Sequence, residues 1–425
     1  MDTMYYGDIL VVDLDSGKTG QVEFERQMLE QSGPGLASGM ALLREHVEGE
    51  PLVLGSGLLT GTTAPASCLG FALGASPVTG EPAVAPLSQY AGSEMKLSGF
   101  SMVVIKGKSA KPVYLWLHDG VADIVDASKL AGKDTWETTD AIRSDMGEHL
   151  IQVISTGPAG ESGSRLASFS INYWGSGDTA GLGAVMGEKN LKAVALRGLG
   201  MLDAEEPLEF YRGTLELLSG SPAEKGFKAT CAAVKAYDID GWLKPLVHRY
   251  RSCFACPHAC NTFVKYNEDH GVIDSTGVEE PGLLITGAAA PLWLQRGGWE
   301  VEPACRALEA LCREGMDVVR GARELAGTPL NDAAEIRAAV KGLGGTEDAG
   351  WPADNDISYT GLFGPWVPPL SEEDGWVEAN RAGYVLGICP AYILLSGIDV
   401  SRLFELCSPA AGIELDAGRI AEMFA

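Results

Sequence analysis

Three cysteines fall within one short run, Cys253-Phe-Ala-Cys256-Pro-His-Ala-Cys260, and no other feature of the chain limits its fold as tightly. The spacing C-x2-C-x3-C gathers three thiolates around one small volume, which is what a cubane iron–sulfur cluster requires of a short loop. A cubane takes four thiolates, so a distant part of the chain must return to this loop with one more. Two other readings compete. Buried cysteines often serve as small apolar side chains, but Pro257 and His258 make this loop less apolar than a core segment. Zinc also takes cysteine ligands, usually in two separated pairs. No second C-x2-C pair occurs here, although His258 or His270 would complete a Cys3His set.

The fourth ligand must come from Cys68, Cys231, Cys305, Cys312, Cys389 or Cys407. Cys389 is the best candidate, because it is followed by Pro390, and Cys-Pro is the context of the last ligand in bacterial cluster motifs. Cys305 and Cys312 stand at i and i+7 on a predicted helix, which is core spacing.

Charge narrows the partners. The 425 residues carry 57 acidic against 32 basic groups, a net charge of -25. That disfavours nucleic acid and anionic membrane surfaces. An acidic electron carrier would need a basic patch or a basic partner subunit to dock. The N-terminus MDTMYYGDILVVDL lacks the basic and apolar regions of a signal peptide. The apolar runs Gly282–Leu294 and Tyr384–Ile398 are interrupted by Gly or Pro and are too short to span a membrane. Nine cysteines, an odd number in a large chain, fit a reducing cytoplasmic setting.

The pattern of apolar residues predicts an α+β chain in two parts. Residues 1–202 read as a β-rich domain. It has a hairpin of Asp8–Leu14 with Gln21–Phe24 around the Asp15-Ser16-Gly17-Lys18 turn. Further strands are expected at Pro51–Leu54, Phe71–Leu73, Ser101–Lys106, Pro112–Leu117, Leu150–Ser155 and Leu191–Leu196. Helices are expected at Gly35–Glu45, Thr135–Ser144 and Ala180–Glu188. Residues 203–425 read as mostly helical, with helices at Pro207–Leu218, Ala223–Tyr237, Pro303–Glu314, Val318–Leu325, Asp332–Lys341, Glu372–Gly383 and Ser401–Leu406. The cysteine loop then lies between helical stretches, and Gly344–Asn355 reads as a connector.

Several longer motifs carry a resemblance. Gly55-Ser-Gly-Leu-Leu-Thr-Gly-Thr-Thr-Ala-Pro65, Ser76-Pro-Val-Thr-Gly80, Gly92-Ser-Glu-Met-Lys96, Gly157-Pro-Ala-Gly-Glu161 and Gly181-Leu-Gly-Ala-Val-Met-Gly-Glu188 occur in order across the first part. In these the chain resembles the aldehyde ferredoxin oxidoreductases, tungsten or molybdenum bis-pyranopterin enzymes. The resemblance implies an N-terminal domain with two β-sheets, followed by helical domains over a buried cofactor. It implies Cys253, Cys256, Cys260 and Cys389 as ligands of a 4Fe-4S cluster. For the whole family it implies oxidation of an aldehyde to a carboxylate, with ferredoxin as electron acceptor.

The departures from the family pattern matter as much. A bis-pterin carries phosphates and needs fixed cations, backbone N–H groups and a metal ion around them. The family's Arg and Asn positions are Pro34, Leu69, Pro86 and Thr179 in this chain. Its two DxxGL(D/C) motifs stand as Cys312-Arg-Glu-Gly-Met-Asp317 and Tyr384-Val-Leu-Gly-Ile-Cys389, each without its leading Asp. Leu284 stands where the family has a Glu near the metal, and most of the segment between the two motifs is missing. The expectation is a shortened member that keeps one 4Fe-4S cluster and has lost tungstopterin or molybdopterin. It would act as an electron-transfer or scaffold subunit in an oligomer or hetero-complex, beside a ferredoxin-like carrier or another oxidoreductase subunit. The sequence singles out no catalytic residue. The alternatives are an active tungsten- or molybdenum-pterin oxidoreductase and a zinc-stabilised interaction protein.

Overall fold

A computed structural model describes residues 8–24, 26–221, 225, 238–265, 282–343 and 376–424. Apart from Lys225, the expected helix Ala223–Tyr237 lies outside these residues, as do the connector Gly344–Asn355, Cys231 and His270.

The first part contains two six-stranded sheets. The first comprises β1 (Asp8–Asp13), β2 (Lys18–Val22), β3 (Leu52–Ser56), β4 (Gly70–Ala75), β5 (Pro82–Leu87) and β6 (Phe100–Lys106), in the order β2-β1-β6-β3-β4-β5. The second comprises β7 (Val113–His118), β8 (Val121–Asp126), β9 (Gln152–Thr156), β10 (Phe169–Ile171), β11 (Trp174–Gly175) and β12 (Leu191–Arg197), in the order β11-β10-β9-β12-β7-β8. In each sheet one neighbouring pair is parallel, β1 with β6 and β12 with β7.

Side-chain alternation explains how the sheets stack. Leu10, Val12, Leu52, Leu54, Val103 and Ile105 point from the first sheet into a core shared with Leu115, Leu117, Ile154, Val194 and Leu196 of the second. The intervening residues Ile9, Val53, Met102 and Val104 face the opposite way, into a core built with Tyr384, Val385, Leu386 and Ile388. Both faces of the central strands are covered, so their sequences are unbroken apolar runs. The edge strand β2 (Lys-Thr-Gly-Gln-Val) is exposed throughout, and its lysine and glycine blunt an open edge. On the outer face of the second sheet, the helix Thr135–Met146 starts at an Asp134/Glu137 capping box.

Strands β5, β8, β10 and β11 and the helix Ala91–Leu97 escaped the sequence reading. β5 contains Pro82 and Pro86, yet it lies at the end of its sheet, where a missing backbone N–H is tolerated. In the second part the helices Pro207–Ser219, Val301–Glu314, Val318–Ala326, Ala333–Leu343, Trp376–Leu386 and Val400–Phe404 occupy expected places. The surroundings of the cysteine loop do not match expectation. The loop joins β13 (Val247–Arg251) to β14 (Asn261–Val264), which pairs in turn with β15 (Leu283–Ile285) in a small antiparallel sheet. β13 is mostly polar and exposed, while the other two are very short, so neither periodicity nor length marks them. Among the described residues no helix is long and apolar enough to cross a membrane.

Beneath this architecture lies Lys96, 0% exposed. Its Nζ donates to the carbonyls of Gly57 (3.2 Å) and Leu58 (2.6 Å), in the turn that leaves β3. Burial pulls its pKa down to about 7. An unfolded lysine titrates near 10.4, so between these values the unfolded chain binds more protons than the folded one, and stability rises with pH. Lys96→Met should flatten that rise. Thermal denaturation of both proteins between about pH 6 and about pH 10 tests it; an unchanged slope would assign the effect to other groups.

Candidate functional site

Three separate segments meet at the cysteine loop through their backbones. The turn after β3 docks on the segment that ends at Cys389: Leu58 N–H donates to Val385 O (3.0 Å), Leu59 N–H to Leu386 O (2.7 Å) and Leu69 N–H to Gly387 O (3.0 Å). Cys389 N–H returns a bond to Ala66 O (3.0 Å). Ala66 N–H donates to Ala255 O (2.8 Å), inside the cysteine loop, and Phe254 N–H donates to Gln89 O (3.0 Å).

Glycine makes the approach possible. A Cβ on Gly57 would lie 2.1 Å from Gly387 N, and one on Gly387 (φ +83°) would lie 1.9 Å from Thr60 Oγ1. Thr60 Oγ1 fixes the turn by accepting from Gly57 N–H (2.8 Å) and donating to Leu69 O (2.6 Å). The Gly-Ser-Gly-Leu-Leu-Thr motif thus has a direct use in this chain, which is to carry Cys389 to the triad.

The four expected cysteines are brought together. Cys253, Cys260 and Cys389 line one cavity, and Cys256 is close enough to feel the charges of all three. Cys68, a fifth cysteine, lines the same cavity and is buried. The sulfurs differ in their surroundings. Cys253 is pulled down to about 7, chiefly by a hydrogen bond with Cys68 and also by Asn261, whose Nδ2 donates to its Sγ at 3.5 Å. Burial pushes Cys389 up to about 12, against backbone bonds from Ala391 and Tyr392. Cys256 and Cys260 are raised, first by burial and then by neighbouring thiolates. Cys68 is raised first by its bond with Cys253. Among the described residues no three His, Cys, Asp or Glu side chains converge on a single-ion position. His258 is buried and packs edge-on to Tyr392, ring centres 5.4 Å apart.

The cavity measures about 80 Å3. It is also lined by Leu283, Leu284, Ile285, Leu308, Val318 and Val319, and among the described residues none of its lining is charged. Cys312 reaches this wall as well, while Cys305 is plain core. Trp174 anchors the small sheet beside the cavity, its indole N–H donating to Gly282 O at 2.7 Å. Arg251 stacks over the Trp174 ring, 5.2 Å from its centre.

Of the cluster and the pterin that the sequence suggests, these residues suit the cluster. Buried thiols this close raise one another's pKa because their thiolates repel, and a cation placed among them would relieve that repulsion and displace the protons. A phosphate-bearing pterin fits poorly. Pro34, Leu69, Pro86 and Thr179 are all buried and uncharged. The N–H groups of Ala180, Leu182 and Gly183 are already taken by the Asp178 carboxylate, which burial raises to about 6. Asp317, the surviving acid of its motif, caps the helix Val318–Ala326 and pairs with buried Arg320 at 2.7 Å.

Comparison with known proteins places part of this chain. Residues 9–198 match the aldehyde ferredoxin oxidoreductase N-terminal domain family. The tungsten-containing aldehyde ferredoxin oxidoreductase of Pyrococcus abyssi is 36% identical over 233 residues, which are 52% of this chain and 38% of that protein. The aliphatic sulfonate oxidoreductase, WOR-like subunit, of Pyrococcus furiosus is 29% identical over 221 residues, 47% of this chain and 35% of its own length. These matches therefore span well under half of the curated relatives. A chain of the active site complex BamBC of benzoyl coenzyme A reductase, solved in complex with 1,5-dienoyl-CoA, superposes with a TM-score of 0.77 at 19% identity. The alignment covers 100% of this chain and 87% of that one, and the likeness is one of fold.

Gly57→Ala should separate the turn from the Cys389 segment and cost about 1–3 kcal/mol, the usual penalty of overpacking. Urea denaturation measures it. A loss below about 0.5 kcal/mol would mean that the two segments can move apart freely.

Proposed function

We propose that this chain, whose residues 9–198 match the aldehyde ferredoxin oxidoreductase N-terminal domain family, is a redox protein carrying one 4Fe-4S cluster on Cys253, Cys256, Cys260 and Cys389. It serves as an electron-transfer or scaffold subunit without tungstopterin. The observation that carries this reading is the cavity itself. Cysteine sulfurs and apolar side chains share its lining, and among the described residues no lining residue is charged. A buried phosphate without a cation is strongly disfavoured.

When bound, the cluster would supply one-electron storage. The chain's own residues do the rest. The backbone clamp fixes the separation of Cys389 from the triad. The bulky wall of Leu283, Leu284 and Ile285 limits the entry of water and other small reactants. Asn261 donates to one ligand sulfur. The proposed partner is another oxidoreductase subunit or a ferredoxin-like carrier, and the matched WOR-like subunit is named as a part of an oxidoreductase.

Anaerobically purified protein should contain about four irons per chain, with no stoichiometric tungsten, molybdenum or pterin. Cys389→Ala and Cys256→Ala should lower the iron content to a similar degree, and Cys305→Ala should leave it unchanged. Stoichiometric pterin would overturn the proposal. A second reading, an active tungsten- or molybdenum-pterin oxidoreductase, draws on the tungsten-containing relatives. Aldehyde-dependent viologen reduction by metal-replete protein would favour it.

A further inference from the structure

The helix Pro207–Ser219 is apolar on two faces. It turns Phe210, Thr214 and Leu217 inward, and Phe210 and Leu217 join the core that holds Tyr384 and Leu386. On its outside stand Leu208, Tyr211 and Leu215, which are 80%, 54% and 46% exposed. We propose that this outer row, with the acidic groove beside it, is the docking surface for a second, different subunit whose contacting segment carries apolar side chains flanked by lysine or arginine. The inference rests on the subunit reading above and supplies the chemistry of the partner; it does not depend on the cluster.

Leu208, Tyr211, Leu215 and half-buried Leu218 stand at i, i+3, i+7 and i+10, the spacing of a coiled-coil seam, which suits a helix laid along them. A surface helix ordinarily gives one apolar stripe to its own core and polar residues to water. A second row of large apolar side chains marks an interaction face, and tyrosine is a frequent anchor in such contacts. The row has no route inward, because the opposite face is already packed. Gly213 brings the helix so close to Leu406 that a Cβ there would lie 2.7 Å from Leu406 Cδ2. The N-terminal end is tied as well: Glu205 and Glu206 N–H donate to the carbonyls of Ala410 (3.0 Å) and Pro409 (2.8 Å). The segment leading into the helix shares its character, with Leu199 and Met201 75% and 74% exposed.

Charge selects the occupant. The groove between this helix and the segment Arg402–Pro409 is lined by Glu206, Glu209, Glu216 and Glu405 against Arg212 and Arg402, four acids to two bases. Arg212 pairs with Glu209 at 2.8 Å and Arg402 with Glu216 at 4.0 Å, so the excess is two negative charges. A cationic partner side chain is attracted into that groove while its apolar neighbours cover the row. A second copy is disfavoured, because a twofold contact sets the same acidic patch against itself in chains that each carry -25. An acidic electron carrier is repelled for the same reason, so this face suits the other subunit and not the carrier.

The test uses the purified full chain and two labelled peptides of about 20 residues, long enough to form a helix. Both have leucine at the a and d positions; one has lysine at e and g, the other glutamate. Binding is read by fluorescence anisotropy, and self-association by sedimentation. The lysine peptide should bind the wild-type chain and the glutamate peptide should not. Leu208→Ser, Tyr211→Ser and Leu215→Ser together, which leave the net charge unchanged, should weaken binding at least about tenfold. Glu209→Gln with Glu216→Gln should weaken it at least about threefold, and less so at high salt. Val47→Ser, at an exposed apolar residue outside this row, should bind as wild type does. Thermal melts of each variant check that these surface changes leave the fold intact. No binding of the lysine peptide, or equal binding by the triple serine variant, would overturn the proposal, the latter meaning adhesion to the acidic surface at large. Equal binding of the glutamate peptide would overturn it too, as would a wild-type dimer that the triple variant dissolves, which makes the occupant a second copy. Iron measured on the same samples judges the cluster reading separately, since peptide binding needs no iron.

Discussion

The structure depends on a small set of backbone hydrogen bonds between segments far apart in the chain. Ala66 is the pivot, donating to Ala255 and accepting from Cys389. A backbone bond is short and directional, so it fixes position more narrowly than apolar contact does. It also needs bare backbone on both sides. Gly57 and Gly387 provide this, because neither has a Cβ to hold the strands of the contact apart. The two large sheets supply a rigid floor beneath the turn, and Lys96 satisfies two of its carbonyls from below.

Electrostatics divides the interior into two kinds of place. Among the described residues on the cavity lining, the sulfurs are the only ionisable groups, and much of the rest is aliphatic. Where charged groups are buried elsewhere, they are matched locally. Asp317 with Arg320 and Lys192 with Glu161 pair directly, and Asp178 is met by four backbone N–H groups. Each arrangement binds neighbouring elements together. Leu166 O accepts from Asp317 N–H, and Ser168 N–H reaches Gly315 O, joining the β-rich part to the helical part. Residues that a phosphate-binding site would recruit thus serve as internal fasteners.

Much of this was legible in the sequence, for identifiable reasons. Central strands covered on both faces leave unbroken apolar runs, and β1, β3 and β6 were read from them. The triad announces itself by spacing, and Cys389 by its following proline. Cys68 has no such mark. It sits in Ala-Ser-Cys-Leu-Gly, and only bonds to residues far along the chain carry it to Cys253. The sheet around the cysteine loop was read as helical surroundings because β13 has a polar surface and β14 and β15 are too short to show a period. Pro86 concealed β5, since an edge position is a property of the sheet and not of the strand. The burial of Lys96 was equally hidden, because its acceptors are carbonyls of a turn and leave no trace in side-chain pattern.

The clamp also orders events in the life of the chain. Ala66 belongs to an early turn and Cys389 to one of the last helices, so their bond closes a loop that takes in most of the molecule. Contacts of such long range form late, after local hairpins and helices have already repaid their own entropy. During synthesis the triad leaves the ribosome well before Cys389, and for that interval its thiols stand without the segment that completes the ring. An incomplete ring can be oxidised or can capture an unintended metal. Under the proposed function, assembly of a cluster would wait for the Cys389 segment, and maturation would be a matter of timing as much as of affinity.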